Sequence, residues 1–303
     1  VEFNAPKSLY AERVFELNYD GLQQYKADPT VIAPDYTPAL ETPDFLLALA
    51  RLWNRREEPE KALDTYERLV RLAPASAEAW SELGNTALAA RQPLRANAAF
   101  ENAARLAPED VQVARILGRL RWRHGLPDGA QAAYERSAAI RPPDAGLAAE
   151  MGDFFTSRQS FALSAEYYRS ALSQGGGSHA ANLLGFARAL KELKAWPEAE
   201  RVMRYAVPAF PSEVAMPLLY GDILVGQQRW QEALPWFQRA LALSPGNADA
   251  YYGMGQVALG LGGREEGFRQ LIRAVRANPY HVKAARLLQD ARSRATITDL
   301  EPS

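Results

Sequence analysis

The residues of this 303-residue chain that could do chemistry are few and dispersed. Cysteine is absent, which removes disulfides, thiolate metal sites and a thiol nucleophile. His124, His179 and His281 have no spacing that could share a metal. No phosphate-binding loop, dinucleotide fingerprint or nucleophile elbow occurs. Paired carboxylates at Glu57-Glu58 and Glu265-Glu266 fall where the sequence reads as turns, so they are expected to be solvated charge rather than an acid-base pair. Gly175-Gly176-Gly177 precedes a helix start and could offer backbone N–H groups to an anion, but no lysine accompanies it and a loose turn is the better reading. The arginines are the stronger signal. Arg51 and Arg55, and again Arg115 and Arg119, stand four residues apart, which on a helix stacks two guanidiniums on one face. Forked donors of this kind suit a carboxylate or phosphate. The chain is therefore expected to bind rather than to catalyse, with no catalytic residue, no metal and no cofactor.

What must position these arginines is periodic. Pro74, Pro108 and Pro142 are 34 residues apart, as are Pro211, Pro245 and Pro279; the gap between the sets is one residue more than two such steps, with Gly176 where a proline is missing. Thr42, Ser76, Asp110, Asp144 and Ser178 follow the same period, and Asn247 resumes it after Ser212; each reads as a helix N-cap. Between punctuation marks lie two helical faces, for example Trp80, Leu83, Gly84 and Ala87, then Ala96, Phe100, Ala103 and Leu106, separated by Arg91-Gln92-Pro93. Each unit is thus a helix, a short turn and an antiparallel helix. Gly84, Gly118, Gly152, Gly185, Gly221 and Gly255 sit inside the first helices, where each costs about 1 kcal/mol relative to alanine. Close crossing against a large residue of the second helix (Tyr66, Phe100, Tyr134, Tyr168, Met203, Phe237, Leu271) accounts for them. The fifth unit has two extra residues between Gly185 and Ala199, which predicts a longer turn around Leu193 to Pro197, and the glycine run before it is the expected place for a bend.

Residues 1–42 lack the period. A helix over 8–26 and an extended strap over 28–43, carrying Pro29, Pro34, Pro38 and Pro43, form a leader too apolar for an ordinary solvated tail. Net charge is -1, so nothing overall favours nucleic acid or an anionic membrane, and no apolar run is long enough to span a bilayer. The sequence begins at Val1, which reads as a processed product or a fragment, and the absence of cysteine suits bacterial cytoplasm and a disulfide-free periplasm equally. Arginine in excess of lysine and abundant alanine point to a GC-rich bacterial genome.

Trp80 to Gly84, the Ala96, Phe100 and Ala103 of the second helix, and the closing Pro108 resemble the tetratricopeptide repeat (TPR) family. The resemblance covers seven units over 43–280, with a capping helix and tail over 281–303. It implies an all-α, right-handed superhelical solenoid of antiparallel helix pairs, whose first helices line a concave groove that binds peptides. The residues it places there are Arg51, Asn54, Arg55, Asn85, Arg115, Arg119, Trp122 and Arg123, an anion-attracting patch unless its arginines pair with Asp44 or Glu78. Asn182, Asp222 and Tyr252 lie on a later, mildly acidic stretch. The early patch is similar to the carboxylate clamp of chaperone-binding TPR domains, but each element sits about one helical turn later, so no particular partner is carried over. The implied function is a non-enzymatic scaffold for an extended protein segment, with an acidic segment suited to the arginines. The alternatives are a subunit of a bacterial envelope secretion or polysaccharide-export assembly, and the regulatory portion of a larger enzyme. The leader is expected to dock in that groove, in its own chain or in a neighbouring copy.

Overall fold

The computed structural model describes residues 42–298, so the leader helix over 8–26 and all but the end of the strap over 28–43 lie outside the described residues. Among the described residues there are fifteen α-helices and no strand. A first unit, ending at Pro142, holds the pairs α1 (Pro43–Arg55) with α2 (Pro59–Leu72), α3 (Ala77–Ala89) with α4 (Pro93–Leu106), and α5 (Val111–Arg123) with α6 (Pro127–Ile140). The second, from Pro143, holds α7 (Ala145–Ser157) with α8 (Phe161–Ser173), α9 (Ala180–Glu192) with α10 (Trp196–Ala209), and α11 (Ala215–Gly226) with α12 (Trp230–Leu243). The pair α13 (Ala248–Gly260) with α14 (Arg264–Ala277) and the single helix α15 (Val282–Thr298) complete it.

The helices begin where side chains or prolines satisfy their free N–H groups. Thr42, Ser76, Asp110, Asp144 and Asn247 accept from the N–H three residues on, at 3.2, 3.2, 3.1, 2.7 and 3.0 Å. Second helices lack side-chain caps, and four of them open on Pro59, Pro93, Pro127 or Pro197, where a missing N–H costs nothing. Each intervening turn contains one residue at positive φ: Glu57, Arg91, Gly125, Gln159, Lys194, Gln228 and Gly262. Two are glycine; the other five hold a left-handed conformation that costs an L-residue about 1 kcal/mol.

Two expected caps are displaced. Gly176–Ser178 forms a 3-10 turn, so α9 is capped at His179 rather than Ser178, without a side-chain bond to the helix; α11 starts after Val214 rather than Ser212. The extra residue of the proline row therefore lies in the joint between α8 and α9. Counted from His179, the turn between α9 and α10 is no longer than the others: Lys194 follows its cap by fifteen residues, as Gln159 follows Asp144. Ala187, not Gly185, then occupies the position of Gly84, Gly118, Gly152 and Gly255.

Each of those glycines lies against its own second helix; a Cβ on Gly84 would stand 2.8 Å from the Phe100 ring. Gly185 has a different neighbour. A Cβ there would meet Tyr168 of the preceding pair at 2.2 Å, and one on Gly253 would meet Phe237 of the preceding pair at 2.2 Å. These glycines let successive pairs, not only partners within a pair, close onto one buried ring. Tyr66, Phe100, Tyr134, Phe237 and Leu271 are wholly buried.

The glycine run is not a break in the second unit. Ala165 and Tyr168 before it share one buried cluster with Leu183, Leu184 and Phe186 after it. Gly176 is itself buried, its carbonyl accepts from Asn182 Nδ2 at 3.0 Å, and a Cβ there would come within 2.6 Å of the Ala171 carbonyl oxygen. No side chain fits at Gly176. At the other end, α15 lays Ala284 and Leu288 on Leu271 and Ala274 of α14 and turns Lys283, Arg286, Gln289 and Asp290 outward.

Candidate functional site

In the first unit, α1 and α3 are tied by residues expected to face a ligand. Arg51 donates through Nε to Glu82 at 2.9 Å and through Nη2 to Glu78 at 2.6 Å. Glu82 also accepts from the buried Tyr66 hydroxyl. These bonds, Glu82 first, hold the Arg51 guanidinium firmly protonated, while burial and then Glu82 push the Tyr66 hydroxyl far above its ordinary range. Asn54 Nδ2 donates to Thr86 at 2.8 Å. Arg51 and Asn54 are therefore seam residues between repeats. Arg55, Asn85 and Arg123 are exposed, whereas Arg115, Arg119 and Trp122 are half-buried and already engaged with neighbouring groups.

In the second unit, α9, α11 and α13 lie side by side, each touching the next. Lys191 on α9 faces Asp222 on α11 at 3.9 Å, too far for a hydrogen bond. Burial pushes the Asp222 carboxyl above the ordinary aspartate range; Lys191, Lys283 and Arg188 pull it back and Asp249 pushes it further up. Tyr252 on α13 is raised by burial and then by the charge of Asp222. His281 joins α13 to α15: its Nε2 lies 3.0 Å from Asp249 Oδ1, and its ring centroid is 5.1 Å from that of Tyr252. Its Nδ1 accepts from Ala284 N–H at 3.0 Å, so Nε2 carries the proton given to Asp249, and histidine serves as the N-cap of α15.

This face is of mixed charge, not mildly acidic. Arg188 was missed because counting from Ser178 hides its equivalence; counted from His179, it stands nine residues after the cap, like Arg51, Asn85 and Arg119, with Asp222 34 residues further on. Asn182 moves the other way. It occupies the position of the buried Ala79, Val113, Leu147 and Ala250 and holds the Gly176 carbonyl, so it belongs to the joint rather than to the face. The signal for His281 was the period itself, 34 residues after the Asn247 cap. Among the described residues no group of histidine and carboxylate side chains could hold a metal, and no helix is long and apolar enough to cross a membrane.

Residues 81–145 match the tetratricopeptide repeat family and residues 221–262 the TPR repeat family. Protein O-mannosyl-transferase Tmtc2 of Drosophila melanogaster is 39% identical over 89 residues, 28% of this chain; the match spans only 10% of that protein's length. Among solved structures, the C-terminal part of a TPR repeat-containing protein from Cytophaga hutchinsonii superposes with a TM-score of 0.60 at 12% identity, covering 78% of this chain and 97% of that one. PilW, a widely conserved type IV pilus biogenesis factor, superposes with a TM-score of 0.56 at 17% identity, covering 70% and 98%. At such identities the likeness is one of fold. The matched segments, the 34-residue punctuation and the packing of glycine against a buried ring make this chain a tetratricopeptide repeat protein, an all-α fold of the superhelical class that supports protein interaction.

Proposed function

We propose that the chain is a scaffold that holds an extended segment of a partner protein along the first-helix face of its second unit, anchored by Lys191, Asp222 and Tyr252. Asp222 is the observation that carries this reading. Its side chain is 43% exposed, its ion-pair partner is 3.9 Å away, and its surroundings disfavour its charge. A donor from a partner that reaches such a carboxylate gains a charge-assisted hydrogen bond that none of the described residues supplies. Arg188 and Lys283 are exposed nearby, so the complementary segment carries a basic residue flanked by acidic ones. Many weak contacts along a preformed surface make up such recognition. In the first unit, Arg55, Arg115, Arg119 and Arg123 around Asn85 and Trp122 suit an acidic segment. The leader, with Asp20, Asp28 and Asp35 among its aromatics, is one candidate for that place.

Twelve-residue segments selected from a random displayed library against the full chain test the reading. Selected segments should bind Asp222→Asn, Lys191→Ala or Tyr252→Ala at least about tenfold more weakly, a loss of roughly 1.4 kcal/mol. Tyr205→Ala, an exposed position on α10, should leave affinity unchanged. Segments that bind the triple variant as tightly as the parent would sink the proposal.

A further inference from the structure

Two equivalent clefts between neighbouring second helices carry different chemistry. In the first unit a cleft of 530 Å³ between α4 and α6, floored by α5, is crossed by Arg121. Its side chain is 21% exposed; Nη2 donates to Glu101 at 2.7 Å, Nη1 to the Gly129 carbonyl at 3.2 Å, and Nε to Asn97 Oδ1 at 3.4 Å. The chain thus already contains an arginine laid between repeats.

In the second unit the same two positions, on the first helix and on the second helix of a pair, carry large apolar side chains in three successive pairs. Phe155 stacks on Tyr167 with centroids 5.4 Å apart and planes 2° from parallel. Leu190 and Leu224 at the first position are buried in the core cluster, and Val202 and Trp236 at the second pack against it. In the last pair the positions are Ala258 and Gln270. What results is a cleft of 390 Å³ between α12 and α14, floored by Met254 and Val257 of α13, with the exposed Leu261 at its end, and edged by Gln238, Glu266 and Gln270. Gln270 is only 4% exposed; its Nε2 donates to Glu266 at 2.5 Å, which fixes the amide orientation, and its buried Oε1 has no hydrogen-bond donor among the described residues. An orphaned buried acceptor costs about 1–3 kcal/mol. Glu266 is half-exposed, as expected of solvated charge, and its outer oxygen meets the exposed Arg269 at 2.6 Å, while its other oxygen holds the Gln270 amide.

We propose that this cleft between α12 and α14 receives an arginine side chain of a partner protein, as the equivalent cleft of the first unit holds its own Arg121. The volume exceeds by an order of magnitude the ~30 Å³ share of one water, so a bridging water would not fill it. The methylene stem of arginine suits the apolar floor. A planar guanidinium has enough donors for the Gln238 amide oxygen and the Glu266 carboxylate together, and for the buried Gln270 amide oxygen once that amide turns toward the cleft, and it is more weakly hydrated than an ammonium. This site lies on the second-helix side and does not depend on the face around Asp222.

The test uses the ¹⁵N-labelled full chain and the peptide acetyl-Gly-Arg-Gly-amide, with the citrulline peptide as its uncharged isostere. The Gln270 side-chain amide resonance, assigned by its loss in Gln270→Leu, should shift saturably with the arginine peptide and at least about fivefold more weakly with citrulline. Ala258→Arg, which copies Arg121, should abolish the response and raise the unfolding midpoint. Glu266→Gln, at a half-exposed first-turn position, leaves the core untouched and should weaken the response severalfold. A Gln270 resonance that ignores the arginine peptide, moves equally with citrulline, or responds unchanged in Glu266→Gln or Ala258→Arg would overturn the proposal.

Discussion

Replacing Gly253 with alanine adds one carbon where two repeats meet. In an exposed helix that change would stabilise by about 1 kcal/mol, through helix propensity. Here the new Cβ would stand 2.2 Å from Phe237 Cε1, 2.4 Å from Cζ and 2.6 Å from Cδ1, against a comfortable carbon-carbon separation of about 3.5–4.0 Å. The ring must retreat by more than an ångström. Its room is limited, because Phe237 is wholly buried and the same ring atoms also lie against Gly221, where a Cβ would stand 2.7 Å from Cζ and 2.8 Å from Cε1. Overpacking costs about 1–3 kcal/mol, and a shift of more than an ångström puts this case at about 2–3, so after the propensity gain of about 1 the net loss should be about 1–2 kcal/mol. Gly177→Ala, with no atom within 4 Å of the added carbon, should fall within about 0.5 kcal/mol of the parent. Urea unfolding followed by circular dichroism and tryptophan fluorescence reads both, with hydrogen exchange of α12 and α13 to localise the loss if the repeats do not unfold together. Phe237→Leu is the companion variant, since a smaller side chain makes room. The double variant should be more stable than the sum of the single changes by about 1 kcal/mol. A neutral or stabilised Gly253→Ala, or strict additivity with Phe237→Leu, would refute this account of inter-repeat packing.

Gln159→Gly should raise stability by up to about 1 kcal/mol despite the flexibility it adds, because Gln159 holds φ at 59°, and the unfolding midpoint in urea reads it. Glu200→Ala should cost about 2 kcal/mol in the same assay, since the 7%-exposed carboxylate accepts from Arg229 at 2.5 Å, Gln227 at 2.9 Å and Arg204 at 3.2 Å. Asp222→Asn should stabilise the chain at neutral pH while weakening partner binding. Its carboxyl is raised on folding, so the ionised form opposes folding at pH values above its folded pKa. That penalty fades as pH falls through the folded pKa and is gone below the unfolded one. Unfolding midpoints of parent and variant should therefore differ at pH 7 and converge in acid.

How much of this was legible in the sequence follows from what the period can carry. The helix pairs, their caps at Thr42, Ser76, Asp110, Asp144 and Asn247, and the large-against-small packing all repeat at 34 residues, so each copy supports the others. Errors gathered where one copy stands alone. Gly185 matches the glycine row by identity, but a Cβ on it would meet Tyr168 of the preceding pair rather than Met203 of its own. Two glycine roles share one residue type, and only three-dimensional contacts separate them. Ser178 is a good capping residue one position too early, because the extra residue of the joint precedes His179 rather than lengthening the turn after Leu193. That single displacement hid Arg188 and misplaced Asn182.

The candidate face was harder to read because exposure along a helix does not tell which side chains join neighbouring repeats. Arg51 and Asn54 look solvent-facing on α1 alone, yet Glu82 and Thr86, one repeat later on α3, claim them both. The same logic applies in reverse to Ala258. On α13 alone it is an unremarkable small residue; set in the series Arg121, Phe155, Leu190, Leu224, Ala258, it is the member that leaves a neighbouring acceptor unfilled. In a repeat protein the common framework fixes where a side chain stands, so chemistry is most visible in the copies that depart from their row. Asp222, with cations on either side and none of the described ones within hydrogen-bond reach, and Gln270, whose buried amide oxygen has no donor among the described residues, are two such departures, and the two proposals rest on them.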